Sequence, residues 1–338
     1  MENKFQTKFE KVVGGTEEER VKAKEKLQKL LEEPHNKDLK SYEVNLTEKD
    51  KEIIQDIESS VDNVASSYGG SPIPFPPEKI YVLKNDGVEA VTDTRFFGGF
   101  HSPLGQRIVI EKGHSDIDFA TTLAHELFHV KSYKAAQVFE KGKPELYRSG
   151  LAVIDRKKGG IEYFSVLEEA IVAEVSRELY ENKIKNNPLY KEEIAATERI
   201  KFWIKKDLEK RGIDENQQEL ALAEIYSIPN PKAILEVLES DKEESYKLGF
   251  VMGSMKMRLD RGRIVLSERF KERQKFNKLL KEILEKSKGQ FKSKKEVFNE
   301  FAKANFSGNL LPLARIVEKI LGRGSFRRIA EEFISIED

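Results

Sequence analysis

Two histidines four residues apart, His125 and His129, enclose a glutamate, Glu126, in the stretch "TTLAHELFHVK" at residues 121–131. The chain has only five histidines in 338 residues. On a helix, positions i and i+4 lie one turn apart on one face, with Cβ atoms about 5–6 Å apart. Two imidazoles so placed can reach one metal ion. Zinc favours imidazole nitrogen in a tetrahedral shell, and a catalytic zinc keeps one position for water. Glu126 projects beside that position. A carboxylate there can take the water's proton as general base and then carry it to a leaving amine. The residue types are not interchangeable: glutamine at 126 would keep the metal and lose the base, and alanine at either histidine would lose a ligand.

A glycine-rich stretch and a strand precede this motif, and a glutamate-bearing helix follows it. In that order "HELFH" resembles the zincin metallopeptidases, and within them the gluzincin type, whose third ligand is a glutamate. The resemblance spans about residues 79–180 and is one of motif. It implies a zincin-like catalytic lobe, a small mixed sheet plus the HExxH helix, and one zinc ion per chain. It also implies a third ligand on the next helix, "YFSVLEEAIVAEVSRELY" at residues 163–180, whose "EEAI" is similar to the "NEA" or "NEG" stretches of such peptidases. The carried-over set is His125, His129 and Glu169 as metal ligands, with Glu126 as the base. Members often carry an acid four residues after the ligand, where this chain has Ala173.

The helical wheel leaves a second choice open. Val166, Leu167, Ala170, Ile171 and Ala173 form an apolar stripe with Glu174 inside it and Glu169 at its edge. A carboxylate in such a stripe must be paired or metal-bound. Glu174 is thus either the ligand or an acceptor for a histidine N–H, while Glu168 is expected on a solvated or ion-paired face. His101 and His114 stand as outside ligand candidates. Tyr163 and His101 are candidates by position for the donor that the oxyanion of an attacked carbonyl requires.

These residues need elements to hold them. "TEEERVKAKEKLQKLLEE" (16–33), with Thr16 as N-cap, and the stretch from about Thr47 to Ser67 predict amphipathic helices. "GGSPIPFPPEK" (69–79) excludes helix and central strand alike, and a lobe boundary is expected there. "KIYVLKND" and "QRIVIEK" read as strands around the glycine-rich "TRFFGGFHSPLG". That stretch lies where zincins place the edge strand that binds substrate backbone, and Gly98 and Gly99 would let a backbone approach closely; a plain loop is the alternative. A helix is expected from about Phe119 to Phe139, a hairpin around "RKKGG", and helices from Ser165 to the end, six to eight of them. The fold class is thus α+β: an N-terminal helical segment (1–70), an α/β lobe (71–164) and a mostly helical C-terminal lobe (165–338) carrying the third ligand.

Composition bounds the partners. Lys plus Arg equals Asp plus Glu at 59 each, so no overall field draws the chain to nucleic acid or an anionic membrane. The absence of cysteine removes disulfides, thiolate metal sites and cysteine nucleophiles. No run reaches the 18 or so apolar residues of a membrane span, and the first residues lack the apolar core of a secretory signal. A cytoplasmic zinc metallopeptidase acting on a peptide or protein substrate is the expectation. Two rivals are a catalytically silent zincin used as a binding module and a nucleic-acid-associated regulator. The second would use Arg323, Arg327 and Arg328 in a helix-turn-helix-like C-terminus.

Overall fold

The computed structural model describes residues 6–334 except 33–36, 72, 93–97, 140–142, 216–217, 220–221, 223–224, 226–227, 229, 241, 255–257, 261–262 and 266–267. The N-terminal segment begins with a strand, β1 (Phe9–Val13), before α1 (Glu17–Glu32), the short α2 (Lys37–Lys40) and α3 (Glu48–Ser67). Thr47 and Asp50 form a reciprocal capping box at the start of α3. The 1–70 segment expected to be helical therefore also supplies a sheet strand. The "FEKVV" strand alternates too weakly to stand out, and it exists because it pairs in parallel with a strand 125 residues on, Phe9 opposite Lys134.

Past the proline-rich turn come β2 (Ile80–Leu83), α4 (Gly87–Thr92), β3 (Gly99–Ser102) and β4 (Arg107–Glu111). They make a three-stranded mixed sheet in the order β2-β4-β3, β2 parallel and β3 antiparallel to β4. The glycine-rich stretch thus holds a strand, and it lies at the sheet edge. Gly99 is required there by packing. A Cβ at this position would lie 2.6 Å from Ile110 Cγ2, 3.0 Å from Val109 O and 3.1 Å from Thr122 Cγ2. What the glycine admits is the neighbouring strand and the motif helix, rather than an external backbone.

The motif helix α5 (Asp116–Lys131) follows, and it stops eight residues before the expected Phe139. Lys134–Val138 is instead strand β5. With β6 (Pro144–Ser149), β7 (Ala152–Asp155) and β8 (Ile161–Tyr163) it forms a five-stranded sheet in the order β1-β5-β6-β7-β8. The expected hairpin around "RKKGG" is the β7–β8 pair.

Helices then dominate: α6 (Ser165–Asn182), α7 (Lys191–Lys210), α8 (Pro231–Glu239) and α9 (Glu244–Ser254). After a short hairpin, β9 (Arg258–Asp260) and β10 (Arg263–Val265), come α10 (Glu268–Lys286), α11 (Lys294–Ser307), α12 (Leu310–Leu321) and α13 (Ser325–Glu332). One apolar core runs through Ile57 of α3, Leu123 and Leu127 of α5, Ile171 of α6, Ile283 of α10, Phe301 of α11 and Ile329 of α13. The breaks expected at about 70 and 164 fall within that core. A smaller cluster joins Ile204 of α7, Ile234 of α8 and Val251 of α9. Among the described residues, no helix is long and apolar enough to cross a membrane.

Candidate metal centre

α5 is held at its start by three groups. Ser115 caps it by accepting from the Asp118 N–H, and Glu193 of α7 accepts from Asp116 N (2.9 Å), Ile117 N (2.9 Å) and the Ser115 hydroxyl (2.8 Å). Helix N-termini leave their first N–H groups without intrahelical partners, so a carboxylate there satisfies donors and complements the helix dipole. Lys112, immediately after β4, ties this end to α3 by contacting Asp50 (2.9 Å) and Asp116 (2.8 Å). The other end of α5 carries the histidines.

His125 and His129 are 5% and 4% exposed, on the face of α5 turned toward α6. Their Nε2 atoms are 3.1 Å apart. Glu169, half-buried on α6, brings one carboxylate oxygen to 3.1 Å from His129 Nε2 and the other to 3.4 Å from His125 Nε2. The ligand atoms of these three residues lie within 4.8 Å of one another, a spacing that could hold a metal ion. Tetrahedral ligands about 2.0–2.1 Å from zinc stand about 3.3 Å from each other. The donor set matches in size and in chemistry. Burial opposes charge on His129, yet the Glu168 and Glu169 carboxylates outweigh it and hold the imidazole pKa well above its ordinary value. Burial likewise opposes charge on Glu169, and His129 and His125 beside it hold its carboxyl well below the usual range. The cluster is a place where positive charge is welcome.

Glu168 overturns its expected place on a solvated or ion-paired face. It is buried, and its Oε1 lies 3.0 Å from His129 Nδ1. A carboxylate on Nδ1 fixes the proton there and leaves the Nε2 lone pair facing the cluster. The acceptor role considered for Glu174 therefore belongs to Glu168. Glu174 instead meets Arg177 (2.6 Å) and Arg273 of α10 (3.0 Å), and it lines a separate cavity with them.

Glu126 is buried beside His125, and its Oε2 is 3.9 Å from His101 Nδ1 of edge strand β3. The His101 ring stacks on His129 with centroids 5.0 Å apart and planes 5° from parallel. Burial, with Lys134 and His129 nearby, pushes His101 well below its ordinary pKa. Lys134 of β5 is itself buried, which pulls its ammonium down to about 7. No sequence pattern marked it, because its side chain reaches His101 only through the pairing of β5 with β1 and β6. The other candidates lie elsewhere. Tyr163 takes a hydrogen bond from Lys158 (3.1 Å), and His114 pairs with the Asn85 side chain.

Of the C-terminal arginines, Arg327 pairs with Glu331 and Arg328 lies 3.9 Å from Glu332. Compared with protein-family models, with curated proteins and with solved structures, the chain matches none.

Proposed function

We propose that this chain is a zinc-dependent metallopeptidase with a zincin-like lobe, in which His125, His129 and Glu169 hold one zinc ion and Glu126 is the general base. One observation carries the reading: three ligand atoms of the right types, from two helices, converge within 4.8 Å, and the buried Glu126, next to His125 in sequence, lies 3.9 Å from the His101 ring that stacks on His129. Bound there, zinc would supply Lewis acidity, making water acidic near neutral pH and polarising a carbonyl.

The chain's own residues do the rest. Glu168 holds His129 by Nδ1. Glu126, kept at the cluster by α5, takes a proton from the attacking water and delivers it to the leaving amine. β3 is the edge of its sheet, so an extended peptide can align there as one more strand, its backbone recognised independently of sequence. The substrate is accordingly a peptide or an unfolded protein segment. The cytoplasm, with its reducing conditions, suits a chain without cysteine.

Zinc content of wild type and His129→Ala, with cleavage of casein by wild type and Glu126→Gln, tests this reading. One zinc per chain, lost in His129→Ala, with cleavage lost in Glu126→Gln, is expected. A zinc-loaded wild type that hydrolyses no peptide bond would favour a silent zincin serving as a binding module, and failure to take up zinc would end both readings. The nucleic-acid regulator has less support, since Arg327 and Arg328 are paired with acids.

A further inference from the structure

We infer that the cleft walled by α6, α10 and α11 binds a small organic phosphate, a phosphoryl group carried on an apolar body. It would do so with or without a zinc ion at His125 and His129.

The cleft measures about 370 Å³, within the roughly 300–1,000 Å³ of small-molecule sites. Phe276 and Leu280 of α10 and Phe298 of α11, all buried, give it an apolar wall. Among the described residues that line it, four cations, Arg177, Arg273, Lys294 and Lys295, stand against two carboxylates, Glu174 and Glu178. Two positive charges are in excess.

The pairing within the cleft shows where that excess lies. Glu174 is held by both guanidiniums, with Arg177 Nη2 at 2.6 Å and Arg273 Nη2 at 3.0 Å. Burial opposes its charge, but the two arginines outweigh burial and hold its carboxyl below its ordinary value. One carboxylate thus serves two arginines. Glu178 serves Lys295, whose Nζ also reaches the Tyr68 hydroxyl at 3.3 Å. Lys294 is exposed and meets no acid among the described residues.

Helix α11 adds to the same field. Lys294 and Lys295 are its first two residues. A helix N-terminus presents unpaired N–H groups and the positive end of the dipole, so anions stabilise it and lysines do not. The acid of that turn, Glu296, reaches back to the Lys292 N–H at 2.7 Å. A phosphate monoester brings about two negative charges in one group. That charge matches the excess, and the apolar wall takes the body that carries it. α6 then serves two sites: Glu168 and Glu169 meet the histidines, while Glu174 and Arg177 line the cleft.

Calorimetric titration of the full chain with phenyl phosphate tests this. One molecule per chain should bind, with a Kd below about 1 mM. Inorganic phosphate and phenol, the two halves of the probe, should each bind at least about 10-fold more weakly. Lys294→Glu should weaken phenyl phosphate about 10-fold. Lys303→Glu makes the same charge change on α11 outside the described lining and should leave affinity unchanged. Both lysines are exposed, so neither change threatens the fold. Zinc-free wild type should bind as zinc-loaded wild type does. Absence of binding, or wild-type affinity in Lys294→Glu, would overturn the site. An equal loss in Lys303→Glu would reduce it to the general field of a basic surface, and binding that vanishes with zinc would place the phosphate on the metal; either result ends the proposal. Inorganic phosphate bound as tightly as phenyl phosphate would overturn the organic ligand.

Discussion

A histidine ligand works through the nitrogen that keeps its lone pair, and in the proposed zinc site Glu168 makes that choice for His129. Removing the carboxylate leaves the ring free to rotate and to change tautomer. Glu168→Ala should weaken zinc affinity about 10–100-fold; a chelator competition that finds wild-type affinity would remove Glu168 from the site. The pair "EE" at 168–169 was visible in the sequence, but its division of labour was not. A wheel drawn for one buried stripe assumes that the other face meets water. On α6 the buried positions include Leu167, Glu168, Ala170, Ile171, Val172 and Val175, because several elements cover it, so the stripe stops marking the inside. Glu174 was misread for a related reason: its partner Arg273 lies 99 residues on, beyond any local pattern. That His125 and His129 come together was legible because i and i+4 share a face on any helix.

The element that matters most is α5, and its start is secured from three directions. Glu193 bonds two of its first backbone N–H groups, and Glu193→Ala should cost about 1–3 kcal/mol in denaturant unfolding. An unchanged midpoint would show that solvent caps the helix equally well. Around Lys112 the electrostatics carry a sign. Burial would raise Asp50 and Asp116, but hydrogen bonds from Lys112, joined by Thr47 at Asp50 and by Lys49 at Asp116, together outweigh it and lower both from 3.8. Burial would lower Lys112, and its bonds to Asp116 and Asp50 outweigh that and raise it from 10.5. The network's stabilisation is therefore complete between about pH 3.8 and 10.5. It is lost as pH falls through the lowered carboxylate values or rises through the raised lysine value. Thermal melts of wild type and Lys112→Met should differ by a constant amount at neutral pH and converge below pH 3.8; a gap that persists in acid would contradict this. The start of α5 was readable from "GHSDID", but its end was not. "KAAQV" has the alanines of a helix, and only its place between β1 and β6 makes it a strand.

At the scale of the whole molecule, the C-terminal helices brace the site from behind. Asn305 of α11 is fully buried. It donates to the Ser132 hydroxyl (2.9 Å) and accepts from Leu151 N (2.9 Å), while its carbonyl takes Tyr133 N (3.1 Å). Between those contacts sits Gly150, at φ +55°, where a Cβ would fall 2.1 Å from Asn305 Oδ1 and 3.0 Å from Glu168 Cγ. The segment linking α5 to the β6–β7 turn is thus fastened beside the carboxylate that orients His129. Asn305→Leu leaves Leu151 N and the Ser132 hydroxyl without their partner and should cost about 2–4 kcal/mol. A loss under about 0.5 kcal/mol, the scale of surface changes, would show that α11 only packs there. Such a clasp could not be foreseen, since it joins a helix to a loop 154 residues away. The α+β composition was foreseen, because strand alternation and helical period differ along the chain; the five-stranded sheet was not, because β1 and β5 form through each other.

The central claim is that Glu126 acts as the base at a zinc ion held by His125, His129 and Glu169. Casein cleavage by wild type and Glu126→Gln, each loaded with zinc and checked for metal content, tests it most directly. Equal zinc in the two proteins, with hydrolysis by wild type alone, is the predicted result. Hydrolysis at the wild-type rate by zinc-loaded Glu126→Gln would contradict it.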